Sequence, residues 1–140
     1  MKALVVYYSK TGRTRQMAFE IDKFLKDNKL DSKMISVYDV QPENFSQSDI
    51  VLLGCWTHGL FFFLQHPDKT WREYAAKFPG LDGKKVAFFT TYKTATGSMF
   101  RKMQKSLGNK LSSLVTLNLK SRNGKLSEEH KMQIKVFVGV

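Results

Sequence analysis

One stretch of the chain decides the expected fold: Tyr8-Ser9-Lys10-Thr11-Gly12-Arg13-Thr14. The apolar run at residues 3–7 that precedes it is typical of a buried strand. The apolar positions that follow it have the spacing of an amphipathic helix, and they are Met17, Ile21, Phe24 and Leu25. The sequence therefore predicts a turn between a first strand and a first helix at residues 8–14.

This turn offers the components of a phosphate-binding site. Ser9, Thr11 and Thr14 supply hydroxyl groups, and Gly12 lets the backbone approach a ligand closely. The following helix adds unpaired N–H groups and the positive end of its dipole. The spacing matches neither the Walker A loop nor the three-glycine dinucleotide fingerprint, so a monophosphate is the predicted ligand. An ordinary turn whose Ser and Thr side chains only cap a helix is the alternative.

The pattern Ser-x-Thr-Gly-x-Thr directly after a first strand resembles the phosphate loop of flavodoxins, which bind FMN. In this chain the matching residues are Ser9, Lys10, Thr11, Gly12, Arg13 and Thr14. The resemblance implies that these residues hold the phosphate of FMN. It extends over the chain in the order of the predicted elements, and this loop is its strongest motif.

The rest of the chain alternates predicted strands with predicted helices. Further strands are expected at residues 34–38, 49–54, 84–91 and 111–119, and further helices at 67–78, 100–107 and 127–137. This alternation predicts one α/β domain over residues 1–140, a doubly wound five-stranded parallel sheet with helices on both faces. The flavodoxin resemblance implies the strand order 2-1-3-4-5, with FMN at the switch between strands 1 and 3.

The segment after the third strand is similar to a second flavodoxin loop, in which an aromatic residue packs on the isoalloxazine ring and a glycine peptide faces its N5 atom. The matching stretch is Gly54-Cys55-Trp56-Thr57-His58-Gly59. Alignment on Thr57 and Gly59 puts His58 at the aromatic position, and Trp56 stands where flavodoxins carry a small residue or proline. Either side chain is a candidate to stack on the flavin, and an altered flavin site is the third alternative.

The segment after the fourth strand, residues 91–98, corresponds to the loop where flavodoxins place a second aromatic residue. Here that residue is Tyr92, whose ring face suits a planar, electron-poor partner. Packing alone is the alternative for both Trp56 and Tyr92. The resemblance thus adds further cofactor-binding residues to the phosphate loop, namely Cys55, Trp56, Thr57, His58, Gly59, Thr91, Tyr92 and Gly97.

Residues 55–66 are predicted to form a long loop, with Pro67 at the first position of the next helix. The loop contains the apolar run Phe61-Phe62-Phe63-Leu64. An exposed run of this kind marks a partner surface, a dimer contact or the wall of a substrate pocket. The alternative is that it begins a buried helix.

The composition is strongly basic and poor in cysteine. Lys and Arg number 23 against 12 Asp and Glu, which gives a net charge of +11, and residues 83–127 contain no acidic residue. This surface fits an acidic protein, a nucleotide, nucleic acid or an anionic membrane, and a generally basic solvated surface is the alternative. The single cysteine, Cys55, excludes an internal disulfide and a multi-thiolate metal site, so redox chemistry requires a bound cofactor. No metal site is predicted.

The flavodoxin resemblance implies an FMN-binding electron-transfer protein, and the basic charge indicates an acidic redox protein rather than nucleic acid as its partner. A small FMN-dependent oxidoreductase of the quinone reductase or protoporphyrinogen oxidase type and a flavin-free binding module are the alternatives. Leu60 stands where flavodoxins often carry an acid, so we expect the reduced, anionic flavin to be less disfavoured and the second potential to be higher. The sequence shows neither a signal peptide nor an apolar run that could cross a membrane, so the expected location is the cytoplasm.

Overall fold

The structure, a computed structural model, describes residues 1–60, 63–93, 95–111 and 117–140, with the backbone alone at 58–60 and 63–65. The strands within these ranges are β1 Lys2–Tyr8, β2 Asp31–Ser36, β3 Ile50–Leu60, β4 Phe63–Pro67, β5 Lys85–Thr91 and β6 Leu117–Ser121. The helices are α1 Arg13–Asp27, α2 Pro42–Ser46, α3 Lys69–Ala75, α4 Met99–Leu107 and α5 Glu128–Val138, with a 3-10 turn at Gly108–Lys110. Strands and helices thus alternate as predicted, with two additions: β4, which follows β3 directly, and the short helix α2, for which no helix was predicted.

The parallel strands lie in the order β2-β1-β3-β5-β6. Because β5 and β6 are the fourth and fifth parallel strands along the chain, this is the predicted order 2-1-3-4-5, and the predicted fold class is confirmed. The register pairs Tyr8 with Cys55, and Trp56 with Thr91. The ends of β1 and β5 therefore lie beside residues 55 and 56 of β3, at the carboxyl edge of the sheet.

Side chains of the sheet divide between two buried layers, because successive residues of a strand point to opposite faces. One face is covered by α1 and α5, and its core includes Val5, Met17, Leu52 and Ile134. The other face is covered by α2, α3 and α4, and its core includes Phe45, Leu53, Trp71 and Met103. Burial on both faces explains the continuous apolar runs in β1, β3 and β5. None of the described helices is long and apolar enough to cross a membrane.

The prediction of a long loop at residues 55–66 is wrong. β3 continues to Leu60, and β4 returns antiparallel to it, pairing Thr57 with Pro67 and His58 with His66. An antiparallel pair can expose one face, which fits the polar residues Thr57, His58 and His66 in this part of β3 and β4. Phe61 and Phe62 of the predicted apolar run lie outside the described residues.

Several predicted boundaries also shift. Pro67 does not open α3 but ends β4, and the helix is capped by Asp68, whose side chain accepts the Thr70 N–H at 2.8 Å. Proline lacks an N–H group and is therefore tolerated at a strand end. β2 lies at 31–36 rather than 34–38, and β6 runs past the predicted end at residue 119 to Ser121. Residues 112–116 of that predicted strand lie outside the described residues.

Candidate functional site

The phosphate loop, residues 9–14, turns sharply between β1 and α1. The turn is closed by Ser9, whose Oγ accepts the Gly12 N–H at 3.0 Å. Gly12 has a φ of 93°, in the left-handed region that favours glycine, and a Cβ added there would meet no atom within 4 Å. The first helical hydrogen bond runs from the Gln16 N–H to the Gly12 carbonyl at 2.9 Å. The turn therefore presents the start of α1 beside open space.

This open helix start fits a phosphate group. Gly12 occupies the N-cap position, and no side-chain hydrogen bond caps the first turn of α1 within the described part of the chain. The N–H groups of that turn have no partner inside the helix, and they carry the positive end of its dipole. Lys10 and Arg13, both exposed, add positive charge on either side. An anion would satisfy these donors without displacing a protein side chain.

The hydroxyl of Thr14, one of the three predicted in the loop, bonds the sheet in this structure. Its side chain is buried, and its Oγ1 lies 2.6 Å from Oγ1 of Thr91 at the end of β5. The hydroxyl thereby ties the beginning of α1 to the sheet. Thr11 and Lys10 lie exposed at the outer part of the loop.

The second predicted group lies on the β3 extension, residues 55–60. Trp56 is half-buried, and the Lys10 Nζ lies 5.2 Å from the centre of its ring, so this aromatic residue contacts the phosphate loop. Thr57 bonds through its hydroxyl to the Thr90 hydroxyl of β5 at 2.8 Å. The structure gives the backbone of His58 and Gly59, and it does not describe the His58 side chain.

Cys55 is a core residue. Its side chain lies in the buried layer shared with Leu53 and Trp71, and its Sγ donates to the Trp56 carbonyl at 3.3 Å. Burial raises the pKa of the Cys55 thiol far above its ordinary value, and the thiol therefore stays protonated. A protonated, buried thiol is a poor nucleophile.

The third predicted group lies in the β5 loop, residues 92–98. Tyr92 is half-buried, and its N–H donates to the Ser121 carbonyl at the end of β6, at 3.3 Å. The guanidinium carbon of Arg122 lies 5.5 Å from the centre of the Tyr92 ring. Gly97 is exposed, with a φ of 51°, in the turn before α4. Thr91 precedes this loop and bonds Thr14, so the β5 end is linked to the phosphate loop.

Sequence reasoning missed a further segment beside these loops, residues 121–125, which we call the β6 turn. Arg13 of the phosphate loop donates through Nη1 to the Arg122 carbonyl at 3.4 Å. A Cβ added at Gly124 would lie 2.5 Å from the Arg13 carbonyl oxygen. The available signal was an Asn-Gly turn pair directly after a parallel strand, at the same edge of the sheet as the other loops.

The described side chains, among which that of His58 is not included, offer no cluster of metal donors. Across residues 1–60, 63–93, 95–111 and 117–140, no group of three or more His, Cys, Asp or Glu side chains could hold a metal ion. The site instead combines a helix start, hydroxyl groups and two aromatic rings, each of which contacts a cation.

A doubly wound sheet with a phosphate-type turn after its first strand defines a flavodoxin-like α/β protein. The family model described as Flavodoxin matches residues 5–137, so this chain belongs to the flavodoxin family. The flavodoxin of Clostridium beijerinckii is 31% identical over 104 residues, which span 74% of this chain and 73% of that protein. The flavodoxin of Megasphaera elsdenii is 31% identical over 94 residues, which span 66% of each chain.

Solved structures support the same fold. The crystal structure of oxidised Flavodoxin 2 from Bacillus cereus has a TM-score of 0.74 and 23% identity, covering 98% of this chain and 94% of that one. Flavodoxins are FMN-binding electron-transfer proteins, and membership of the family assigns this cofactor and this activity to the chain. The resemblance inferred from residues 9–14 is thereby confirmed.

Proposed function

We propose that this protein carries single electrons between partner proteins on FMN, whose phosphate is held by residues 9–14. The observation that carries the proposal is the uncapped, open start of α1 at Gly12, beside Lys10 and Arg13. FMN supplies the redox chemistry, and the protein binds it, orients it and sets its potentials. On this proposal residues 1–140 act as one flavodoxin-like domain in the cytoplasm.

The isoalloxazine ring is proposed to lie between Trp56 and Tyr92. Trp56 is proposed for one face because its ring contacts Lys10 of the phosphate loop, which joins the proposed ring site to the proposed phosphate site. Tyr92 is joined to the same region through the β6 turn, where Arg122 lies over its ring. Half-buried aromatic faces of this kind suit stacking on a planar ring.

The charge around this site favours reduced flavin. Residues 9–14, 55–60, 91–98 and 121–125 contain no Asp or Glu, and they contain Lys10, Arg13, Lys93, Arg122 and Lys125. Nearby cations stabilise the negative charge that reduction adds to the ring, and because these cations are exposed, salt weakens the attraction. A higher second potential than in an acidic flavodoxin is therefore expected. A redox titration at low and high salt tests this, because salt screens the exposed cations and should lower the potential.

The same cations are proposed to select an acidic redox partner. Residues 83–127 lack acidic side chains and include both the β5 loop and the β6 turn, so the basic surface adjoins the proposed flavin edge. Such a surface accelerates encounter with an acidic protein, and the acceleration weakens as salt is added. Electron-transfer rates to an acidic acceptor should fall as ionic strength rises, and rates to a basic acceptor should not. A flat salt profile with both acceptors would contradict the acidic partner.

FMN and riboflavin provide the decisive comparison for the proposal as a whole. The apo-protein is titrated with each ligand while flavin fluorescence and absorption are followed. Tight FMN binding with much weaker riboflavin binding is expected, because only FMN offers a phosphate to residues 9–14. Equal affinity for both ligands would show that this loop does not hold the phosphate. Absence of binding for both would contradict the electron-carrier function itself.

A further inference from the structure

The β6 turn, residues 121–125, has a conformation fixed by its own hydrogen bonds. The buried Ser121 Oγ accepts the Gly124 N–H at 3.1 Å and donates to the Lys125 carbonyl at 3.0 Å. Asn123 Oδ1 accepts the Lys125 N–H at 2.9 Å. Gly124 has a φ of 79°, which an L side chain rarely adopts. The turn is therefore a preformed unit rather than a loose connection to α5.

One side of this turn packs on the start of α1. Gly124 lies so close to the Arg13 carbonyl that an added Cβ would stand 2.5 Å from the oxygen and 3.3 Å from the Gln16 Cβ. Arg13 also donates to the Arg122 carbonyl. Backbone packed directly against backbone cannot yield as the tip of a flexible side chain can. The position of the first residue of α1 therefore depends on the position of Gly124.

The other side of the turn contacts the β5 loop. The Ser121 carbonyl accepts the Tyr92 N–H, and the Arg122 guanidinium lies over the Tyr92 ring. A single segment thus touches both the residues proposed to hold the phosphate and an aromatic residue proposed to hold the ring.

We propose that the β6 turn is a fourth element of the FMN site and that Gly124 is a positioning residue for the phosphate loop. This inference rests on the proposed function of residues 9–14. The turn holds the N–H groups at the start of α1 in the geometry that receives the phosphate, which is preorganisation of the kind that raises affinity without new ligand contacts. Because Gly124 packs on Arg13 of the phosphate loop, a change at this position should therefore appear in FMN binding and not in riboflavin binding.

The test compares two glycines that share a backbone conformation but differ in their surroundings. Gly124 has a φ of 79° beside the Arg13 carbonyl, and Gly83 has a φ of 78° with nothing within 4 Å of an added Cβ. Gly124→Ala and Gly83→Ala therefore introduce the same backbone strain, and only the first displaces the phosphate loop. Apo forms of both full-length variants and the wild type are titrated with FMN and with riboflavin.

Gly124→Ala is expected to raise the Kd for FMN about tenfold, the equivalent of one charge-assisted hydrogen bond, and to leave the Kd for riboflavin unchanged. Gly83→Ala should change neither. Equal FMN affinity in the two variants, or equal losses for both ligands, would overturn the inference while the proposed function stands. Failure of the wild type to prefer FMN over riboflavin would instead overturn the proposed function.

A milder variant covers the case in which Gly124→Ala does not fold. Ser121→Ala removes the acceptor of the Gly124 N–H and inserts no atom against Arg13. It should loosen the turn and weaken FMN binding about threefold, with a smaller loss for riboflavin because the Ser121 carbonyl also holds the Tyr92 N–H. Unchanged FMN affinity in this variant would also count against the inference.

Discussion

Two glycines mark two parts of the site for different physical reasons. Gly12, in the phosphate loop, has a φ of 93° and open space where a Cβ would stand. Gly54, in β3 just before the β3 extension, has no positive φ, and a Cβ there would overlap the ring of Phe89 on β5. The phosphate loop therefore depends on backbone freedom, and the base of the β3 extension depends on close packing with the next strand. The first dependence concerns ligand binding, and the second concerns stability.

Gly54→Ala should have the largest effect on stability. The added methyl overlaps the Phe89 ring in the centre of the sheet, and overpacking there should lower the free energy of unfolding by about 3 kcal/mol. Denaturant unfolding measures this change. Gly80→Ala is the matched control, because a Cβ at Gly80 meets nothing within 4 Å and its φ is not positive, so its effect should stay within about 0.5 kcal/mol.

A second substitution tests whether Phe89 is the cause. Phe89→Leu in the Gly54→Ala background should restore part of the lost stability, because the smaller side chain leaves room for the methyl group. Additive losses in the double variant would mean that the clash lies elsewhere.

Gly12→Ala should have the next largest effect on stability and a clear effect on ligand binding. An alanine at this φ costs about 1–2 kcal/mol, and relief of the strain would move the turn proposed to hold the phosphate. FMN affinity should fall about tenfold while riboflavin affinity holds. Gly54→Ala, if folded, should shift both affinities together. Equal losses of affinity for FMN and riboflavin in Gly12→Ala would show that Gly12, like Gly54, does not act on the phosphate alone.

Two hydroxyl pairs give a smaller test of the same contrast. Thr14 bonds Thr91 at 2.6 Å and ties the phosphate loop to β5, whereas Thr57 bonds Thr90 at 2.8 Å and ties the β3 extension to β5. Thr14→Val leaves the buried Thr91 hydroxyl without this partner and should lower the free energy of unfolding by about 1 kcal/mol. It should also weaken FMN binding. Thr57→Val should cost about 0.5 kcal/mol, because Thr90 also bonds the Cys55 carbonyl. Loss of FMN selectivity in Thr57→Val and not in Thr14→Val would contradict the proposal that the phosphate loop, rather than the β3 extension, holds the phosphate.

The sequence predicted those parts of the site that depend on local patterns. Residues 9–14 form a compact motif between a strand and a helix, and the alternation of elements predicted the parallel sheet, whose strand order was implied by the flavodoxin resemblance. The cap of α5 is also local, since Ser127 Oγ accepts the His130 N–H at 3.1 Å. The phosphate loop and the cap of α5 are each determined by residues that are close together in the sequence.

The parts that were missed depend on contacts between distant residues. The β3 extension exists because Thr57 and His58 pair with Pro67 and His66. Residues 55–60 do not alternate regularly between polar and apolar side chains, so the sequence gives no signal for this pairing. The β6 turn belongs to the site through a hydrogen bond between Arg13 and Arg122, which stand 109 positions apart. Asn123-Gly124 predicts a turn, but only the packed sheet shows that the turn lies against α1.

Substitution of His130, which caps α5 away from both glycines, should have the smallest effect on stability. Its Nδ1 accepts the Ser127 N–H at 3.2 Å and completes the cap of α5. Burial lowers the pKa of His130 from 6.5, although Glu129 acts in the opposite direction. The folded state thus binds fewer protons than the unfolded state just below pH 6.5, so this contribution to stability is present above that pH and is lost as the pH falls.

Comparison of the wild type with His130→Gln isolates this contribution. Glutamine keeps an acceptor at the third position of the capping box but does not titrate. The wild type should lose more stability than the variant between pH 7 and pH 5 in denaturant unfolding, with no difference in FMN selectivity at either pH. Identical pH profiles would show that the neutral imidazole is not what holds the cap. A change in FMN selectivity would instead show that the start of α5 influences ligand binding, as Gly12 is proposed to do.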